Sequence, residues 1–237
     1  MVNFQEIPEE QEALERVLGI ELGAALHHFE LQLQATRYEW DVYRSLLGTS
    51  PERVEMLNKA SGYIALAVDE SMYDAVISSI SRLTDKARFR DDRNLSLRQI
   101  GEMTKECDAL SPGQIEEIQS LVTAAIEASR GIRRVRNKLI GHNDYSVTVE
   151  NFEMRRPSRK ALEDAIRAIE EVCNYIRAAV ELPNCCYLPI RPDEGDNKFF
   201  FILSKGVECC DACSPREYHE QFDKRLDRYF NSSLVSD

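Results

Sequence analysis

A predominantly helical, all-α bundle is what this sequence predicts, and three observations predict it. Glycine (10) and proline (8) are scarce among 237 residues. Apolar residues recur three and four positions apart over long windows, which is the period of one face of an α-helix. Hydroxyl residues followed three positions later by Gln or Glu mark several helix starts, because the hydroxyl caps the first turn and the longer side chain reaches back.

The elements follow in order. A first pair of helices is expected over about residues 8–33 and 35–47, ending near Gly48. Ser50-Pro51 opens a long helix to about Asp85, since proline fits a first turn whose N–H groups lack helical partners anyway. Arg88 to Asn94 is charged and loop-like. Ser96 with Gln99, and Ser111-Pro112 with Gln114, start a short helix to about residue 106 and a long one from 112 to 141. Asn143 to Pro157, with Val147, Val149 and Phe152, is a loop with room for a short strand. Ser158 caps a helix to about Leu182 whose face carries Leu162, Ile166, Ile169, Cys173, Ile176 and Val180, and Pro183 stops it. Beyond it, Cys185–Ile190 and Phe199–Leu203 are expected as strands of a small hairpin around Asp193-Glu194-Gly195-Asp196. A terminal helix follows, capped by Ser214-Pro215 with Glu217 and running to Phe230. The domain expectation is a bundle over 1–182 and an appendage over 183–237.

Composition narrows the function. No run without a charged side chain exceeds nine residues, and a membrane-spanning helix needs about 20 apolar ones, so no membrane association is expected. An acidic amino-terminal stretch and seven cysteines, an odd number, read as a cytoplasmic chain with reduced thiols. A net charge of −11 argues against a general nucleic-acid coat, so any such site must be local. Ala128 to Asn143 fits that demand, with Arg130, Arg133, Arg134, Arg136 and Lys138 and no Asp or Glu.

The helix expected over 112–141 has an apolar stripe of Ile118, Leu121, Ala125, Ala128, Ile132, Val135 and Leu139. With Ile132 at zero and about 100° per residue, Arg136 falls near 40°, at the edge of the packed face, while the other cations point to solvent. A guanidinium there needs a partner or a bound anion. Gly141 is expected to close the helix in a left-handed conformation, freeing His142 at the terminus with Asp144 close enough to orient the ring. A base and a fixed cation are the parts needed to cleave RNA without metal.

Arg136-Asn137-Lys138-Leu139-Ile140-Gly141-His142 resembles the HEPN motif, an Arg and a polar residue followed by a His after four to six intervening positions. The flanking Ile132-Arg133-Arg134-Val135, the His142-Asn143-Asp144 that follows, Ser81-Arg82-Leu83-Thr84-Asp85 upstream, and Trp40 with Tyr43 are similar to the AbiU-like HEPN proteins of abortive-infection systems. The resemblance covers roughly residues 20–182. It implies a homodimer that sets two motifs across a shared cleft, RNA as substrate, and a cognate antitoxin as a further partner. Transfer of the phosphoryl group to the neighbouring 2′-oxygen would leave a 2′,3′-cyclic phosphate. His142 would be the general acid/base, Arg136 the phosphate cation, Asn137 a positioner of substrate or His, and Asp144 the residue setting the His tautomer. Arg133, Arg134 and Lys138 would attract flanking phosphates, and Tyr145 is the aromatic beside the motif. A noncatalytic scaffold binding RNA or a protein through the same basic island is the other reading.

No cofactor is expected, there being no glycine-rich phosphate loop, and no metal. Cys210-x-x-Cys213 has the spacing of half a zinc site, but Cys185, Cys186 and Cys209 do not supply a second cleanly spaced pair. His27, His28 and His219 read as packing or surface residues. Asp85 is expected to pair with an arginine. Tyr145 sits one position further from His142 than the tyrosine that partner nucleotidyltransferases modify in some HEPN toxins.

Overall fold

Gly19 makes the first corner. The structure, a computed structural model, describes residues 8–48, 50–141, 149–150, 154–187 and 195–212. In it α1 (Pro8–Leu18) ends at Gly19, whose φ of +85° is left-handed and is adopted without strain by glycine. α2 (Ile20–Tyr43) follows at once and packs against α1 so closely that a side chain at Gly23 would collide with the backbone of Leu14 and Glu15. The break expected near residue 34 is therefore absent: the helix runs through it, because the chain has already turned at a residue built for turning.

α2 continues into a π-helical turn, Arg44–Gly48, and α3 covers Pro51–Leu83, starting at the proline as expected. Ser61 interrupts α3 with extended backbone (φ −170°, ψ 101°), and its hydroxyl accepts from the Ile64 N–H at 3.4 Å, as a cap restarting the helix would. Thr84 ends α3 by donating its hydroxyl to the Ile80 carbonyl at 2.9 Å. The segment expected as a charged loop holds a minimal antiparallel ladder, β1 (Arg88–Phe89) with β2 (Asp92–Arg93), turned by Arg90 at positive φ. α4 (Leu97–Thr104) and α5 (Pro112–Ala128) begin at Ser96 and Ser111, α6 (Arg130–Val135) follows α5, and α7 (Arg159–Ala179) begins at Ser158. Ser111 and Gln114 form the full reciprocal cap, with the Gln114 Oε1 accepting from the Ser111 N–H at 2.8 Å. α7 ends at Ala179, short of the expected Leu182: past its cap Val180, Glu181 takes a left-handed φ and the Leu182 N–H closes on the Arg177 carbonyl at 2.9 Å, before Pro183 is reached.

The last helix corrects an expectation. Phe199–Leu203 lies inside α8 (Gly195–Ala212), with Phe200 buried and its neighbours Phe199 and Phe201 exposed. A short apolar run does not tell strand from helix by period alone, and here the surrounding residues are helical. The fold remains all-α in class. Of the other strand expected in that hairpin, Cys185–Tyr187 form neither helix nor strand. Its remainder over 188–190, the hairpin turn at 193–194 and the terminal helix over 214–230 lie outside the described residues.

The chain divides into two compact units. One takes Met1–Tyr43 with Glu70–Pro189 and holds α1, α2, the second part of α3, and α4 to α7. In it α5 lies along α7, α4 meets both α2 and α5, and α2 meets α7. The core is made by Leu26, Phe29, Leu33 and Trp40 of α2, Ile77 and Ile80 of α3, Ile118 of α5, and Leu162, Ile166, Ile169, Cys173 and Ile176 of the expected α7 stripe. Val180, the last residue expected in that stripe, is half-buried just past the end of α7. The other takes Arg44–Asp69 with Ile190–Asp237. There Arg53 donates to the Ser45 carbonyl at 2.8 Å and to Asn197 at 3.0 Å, and its guanidinium lies 4.6 Å from the Phe200 ring centre.

Two ion networks cross the seam of α2 and α7. Arg37 grips Glu170 with the two N–H groups of one guanidinium edge (Nε to Oε1 2.7 Å, Nη2 to Oε2 2.8 Å) and reaches Glu163 through Nη1 at 3.0 Å. Glu163 also accepts from the Trp40 indole and from Arg167, each at 2.6 Å. Arg177 grips Glu30 in the same way (2.7 and 2.6 Å) and holds Glu10 at 2.6 Å, while the Tyr187 hydroxyl donates to Glu30 at 2.9 Å. Burial alone would raise the Glu163 carboxyl, but the bonds from Trp40, Arg167 and Arg37 outweigh it and bring its pKa down to about 2.

Two outcomes follow. Arg177→Met strands the Glu30 carboxylate among buried groups and is expected to lower unfolding free energy by about 3–5 kcal/mol, read from urea denaturation. Glu163 has a folded pKa below its ordinary 4.5, so the stability it contributes is whole above that pH and is lost as pH falls towards about 2. Glu163→Gln is expected to flatten the decline of the urea midpoint across that acidic window; an unchanged slope would remove Glu163 from the account.

Candidate functional site

The basic segment is three short pieces rather than one long helix. Ser129 ends α5 with its hydroxyl turned back to the Ala125 carbonyl at 2.8 Å, α6 follows, and Arg136–Ile140 forms a π-helical turn. That wider turn closes where the Gly141 N–H meets the Arg136 carbonyl at 2.7 Å. Gly141 takes an ordinary right-handed conformation (φ −81°, ψ −26°), not the expected left-handed one, because the π turn itself supplies the partner for its N–H. A side chain at 141 would crowd the Arg136 carbonyl.

The residues that face inward are not all the expected ones. The buried stripe runs Ile118, Val122, Ala125, Ser129, Ile132 and Val135. Leu121 is only half-buried and Ala128 is exposed, in place of the packed positions expected for them. Leu139, expected in the stripe, is exposed, since a π turn carries more residues per revolution than the period assumed.

The expected site residues are placed as follows. Arg136 is half-buried and donates through Nη1 to the Asn137 Oδ1 at 2.9 Å, so those two are brought together. Arg133 reaches Asp85, at the end of α3, at 3.4 Å, and its Nε is buried without a hydrogen-bond partner. Asp85 is thus an arginine partner as expected, with Arg133 rather than Arg136. Arg130 pairs with Glu127 on the surface, Arg134 is exposed, and Lys138 is half-buried. His142, Asp144 and Tyr145 lie outside the described residues. Cys209 and Cys210 are exposed on α8, Cys186 is exposed, Cys185 is half-buried, and Cys213 lies outside the described residues.

A second basic group went unassigned from sequence. Trp40 and Tyr43 stack at 5.6 Å, Tyr43 meets Tyr73 at 5.7 Å, and Tyr73 donates its hydroxyl to the Pro157 carbonyl. Arg159 lies 5.7 Å from the Tyr43 ring centre and Arg156 5.5 Å from that of Tyr73. The available signal was the run Arg155-Arg156 followed by Arg159-Lys160 around the cap of α7. Two cations over aromatic faces can hold an anion while keeping their stems packed.

Among the described residues no three or more His, Cys, Asp and Glu side chains form a metal-binding group, and no helix is long and apolar enough to cross a membrane. Asp85→Ala is expected to cost about 1 kcal/mol of stability, because it leaves the partly buried Arg133 without its carboxylate; Asp85→Asn, which keeps an acceptor, is expected to cost less in the same denaturation experiment.

A family model described as AbiU2, of the HEPN type, matches residues 19–183 of the chain. Neither the curated proteins nor the solved structures gave a match.

Proposed function

Because this chain belongs to the AbiU2 family of HEPN proteins, we propose that it is a metal-independent endoribonuclease, a toxin or phage-defence effector acting as a homodimer. The observation that carries the reading is the pairing of Arg136 with Asn137 in a π-helical turn that closes at Gly141, the residue directly before His142. π turns inside helices recur at functional sites, where they redirect side chains out of the helical period.

In the proposed reaction the RNA 2′-oxygen attacks the adjacent phosphorus as His142 takes its proton. The P–O5′ bond then breaks, the 5′-oxygen leaves with the proton that protonated His142 returns, and a 2′,3′-cyclic phosphate remains. Arg136 holds the phosphate oxygens on which charge grows, and Asn137 fixes the direction of that guanidinium. Asp144 sets the tautomer of His142. Arg134, Lys138 and Tyr145 line the path of the flanking strand, and Arg133 supports it from its pairing with Asp85. Two motifs from two protomers form the cleft, and a cognate antitoxin occupies or blocks it.

The test is incubation of the full chain with total RNA in excess EDTA, wild type beside His142→Ala and Arg136→Ala, with fragment ends identified. Wild-type fragments ending in cyclic phosphate, reduced about 10²–10⁴-fold by His142→Ala, are expected. Equal cleavage by all three proteins, or none by any, would sink the assignment; RNA retained without cleavage would instead favour a noncatalytic scaffold.

A further inference from the structure

We propose that a cleft between the α1–α2 corner and α4 binds an uncharged adenine nucleoside, with the Gln99 amide reading the base. The cleft measures about 510 Å³, within the range of small-molecule sites, and lies wholly inside the larger unit. It is separate in sequence and chemistry from the Arg136 motif, and the inference does not rest on RNA cleavage.

Gln99 carries the argument. Ser96-x-x-Gln99 and Ser111-x-x-Gln114 are the same capping sequence, yet only Gln114 closes its cap. Gln99 lines the cleft, is 6% exposed, and keeps its Oε1 buried without a hydrogen-bond partner. A buried carbonyl oxygen without a partner is costly to a fold, and one that borders a cleft can recover that cost from a donor on a ligand. Its last torsion is soft, so the carbonyl can swing to the cleft with little hindrance.

An amide presents one acceptor beside one donor, and the complementary edge on adenine is the N6 amino group beside N7. Leu18, Leu22 and Met103 supply the apolar part of a lining that is otherwise mostly polar, against which the face of a base can rest. Glu102 and Glu106 are exposed at the rim, and carboxylates there accept from a pair of ribose hydroxyls. Arg93 is held by Glu21 at 2.6 Å, and the other arginine, Arg88, stands exposed against the two carboxylates of Glu102 and Glu106. The charges of the rim therefore balance negative, which disfavours a phosphate and favours the nucleoside over the nucleotide.

The experiment is calorimetric titration of the full chain with adenosine, guanosine and adenosine 5′-monophosphate, for wild type, Gln99→Leu and Glu102→Gln, with the melting temperature of each ligand-free protein. Adenosine is expected to bind wild type more tightly than the other two. Gln99→Leu is expected to bind about tenfold to a hundredfold more weakly while melting at the same or a higher temperature, because the leucine removes an unpaired polar group. Glu102→Gln, a surface change, is expected to weaken adenosine and narrow the gap to the monophosphate. No adenosine binding to folded wild type, equal binding by Gln99→Leu, or tighter binding of the monophosphate would each overturn the proposal.

Discussion

Two arginines buried between α2 and α7 set the register of the larger unit. A guanidinium taken out of water is tolerable only if its fork is met, and both Arg37 and Arg177 meet a carboxylate edge to edge. Glu30 and Arg37 stand two turns apart on α2, and Glu163, Glu170 and Arg177 stand two turns apart in succession on α7. The helices run antiparallel past one another so that Glu30 faces Arg177 and Arg37 faces Glu170 and Glu163. A slip of two turns in either direction would set Glu30 against Glu170 or Arg37 against Arg177. The apolar stripe of α7 would tolerate such slips, since aliphatic side chains substitute for one another; the charges do not. α5 lies along α7 and α4 bridges α2 and α5, so both inherit the register.

The basic segment depends on that scaffold in a second way. α6 enters with Ile132 and Val135 buried, and the pair of Arg133 with Asp85 ties it to the end of α3. Past Val135 no side chain of the π turn is fully buried. The turn is thus held at its entrance and only partly covered beyond it, with Arg136 half-buried and Asn137 exposed.

Much of this was legible from sequence, for reasons that particular residues explain. The starts of α3, α4, α5 and α7 were visible because capping is local chemistry: Ser50-Pro51, Ser96, Ser111-Pro112 and Ser158 each sit where the helix begins. The α7 stripe was visible because one face of it is wholly buried. The corner at Gly19 was missed because a lone glycine gives no period, and the contact that needs Gly23 is made by a neighbouring helix. The π turn was missed because a constant 100° per residue carries Leu139 inward, whereas the extra residue in the turn carries it out. Phe199–Leu203 defeated the reading because apolar runs of that length suit either a strand or a helix. Motif spacing singled out Arg136 and Asn137, which the structure hydrogen-bonds to each other; which cation Asp85 would choose depended on the path of α3, which spacing does not encode.

The smaller unit is assembled from two stretches that leave the ribosome at very different times. Arg44–Asp69 emerges well before α8, and at about 5–20 residues per second the interval is on the order of ten seconds. Through it Arg53 has no Phe200 beneath its guanidinium and no Asn197 to bond, and Tyr63, Ile64 and Leu66 lie along a helix that stays exposed even in the finished protein. The larger unit has by then received nearly all of its chain. Synthesis thus delivers the bundle first and leaves the helix that bears Tyr63, Ile64 and Leu66 waiting for α8 to complete the smaller unit.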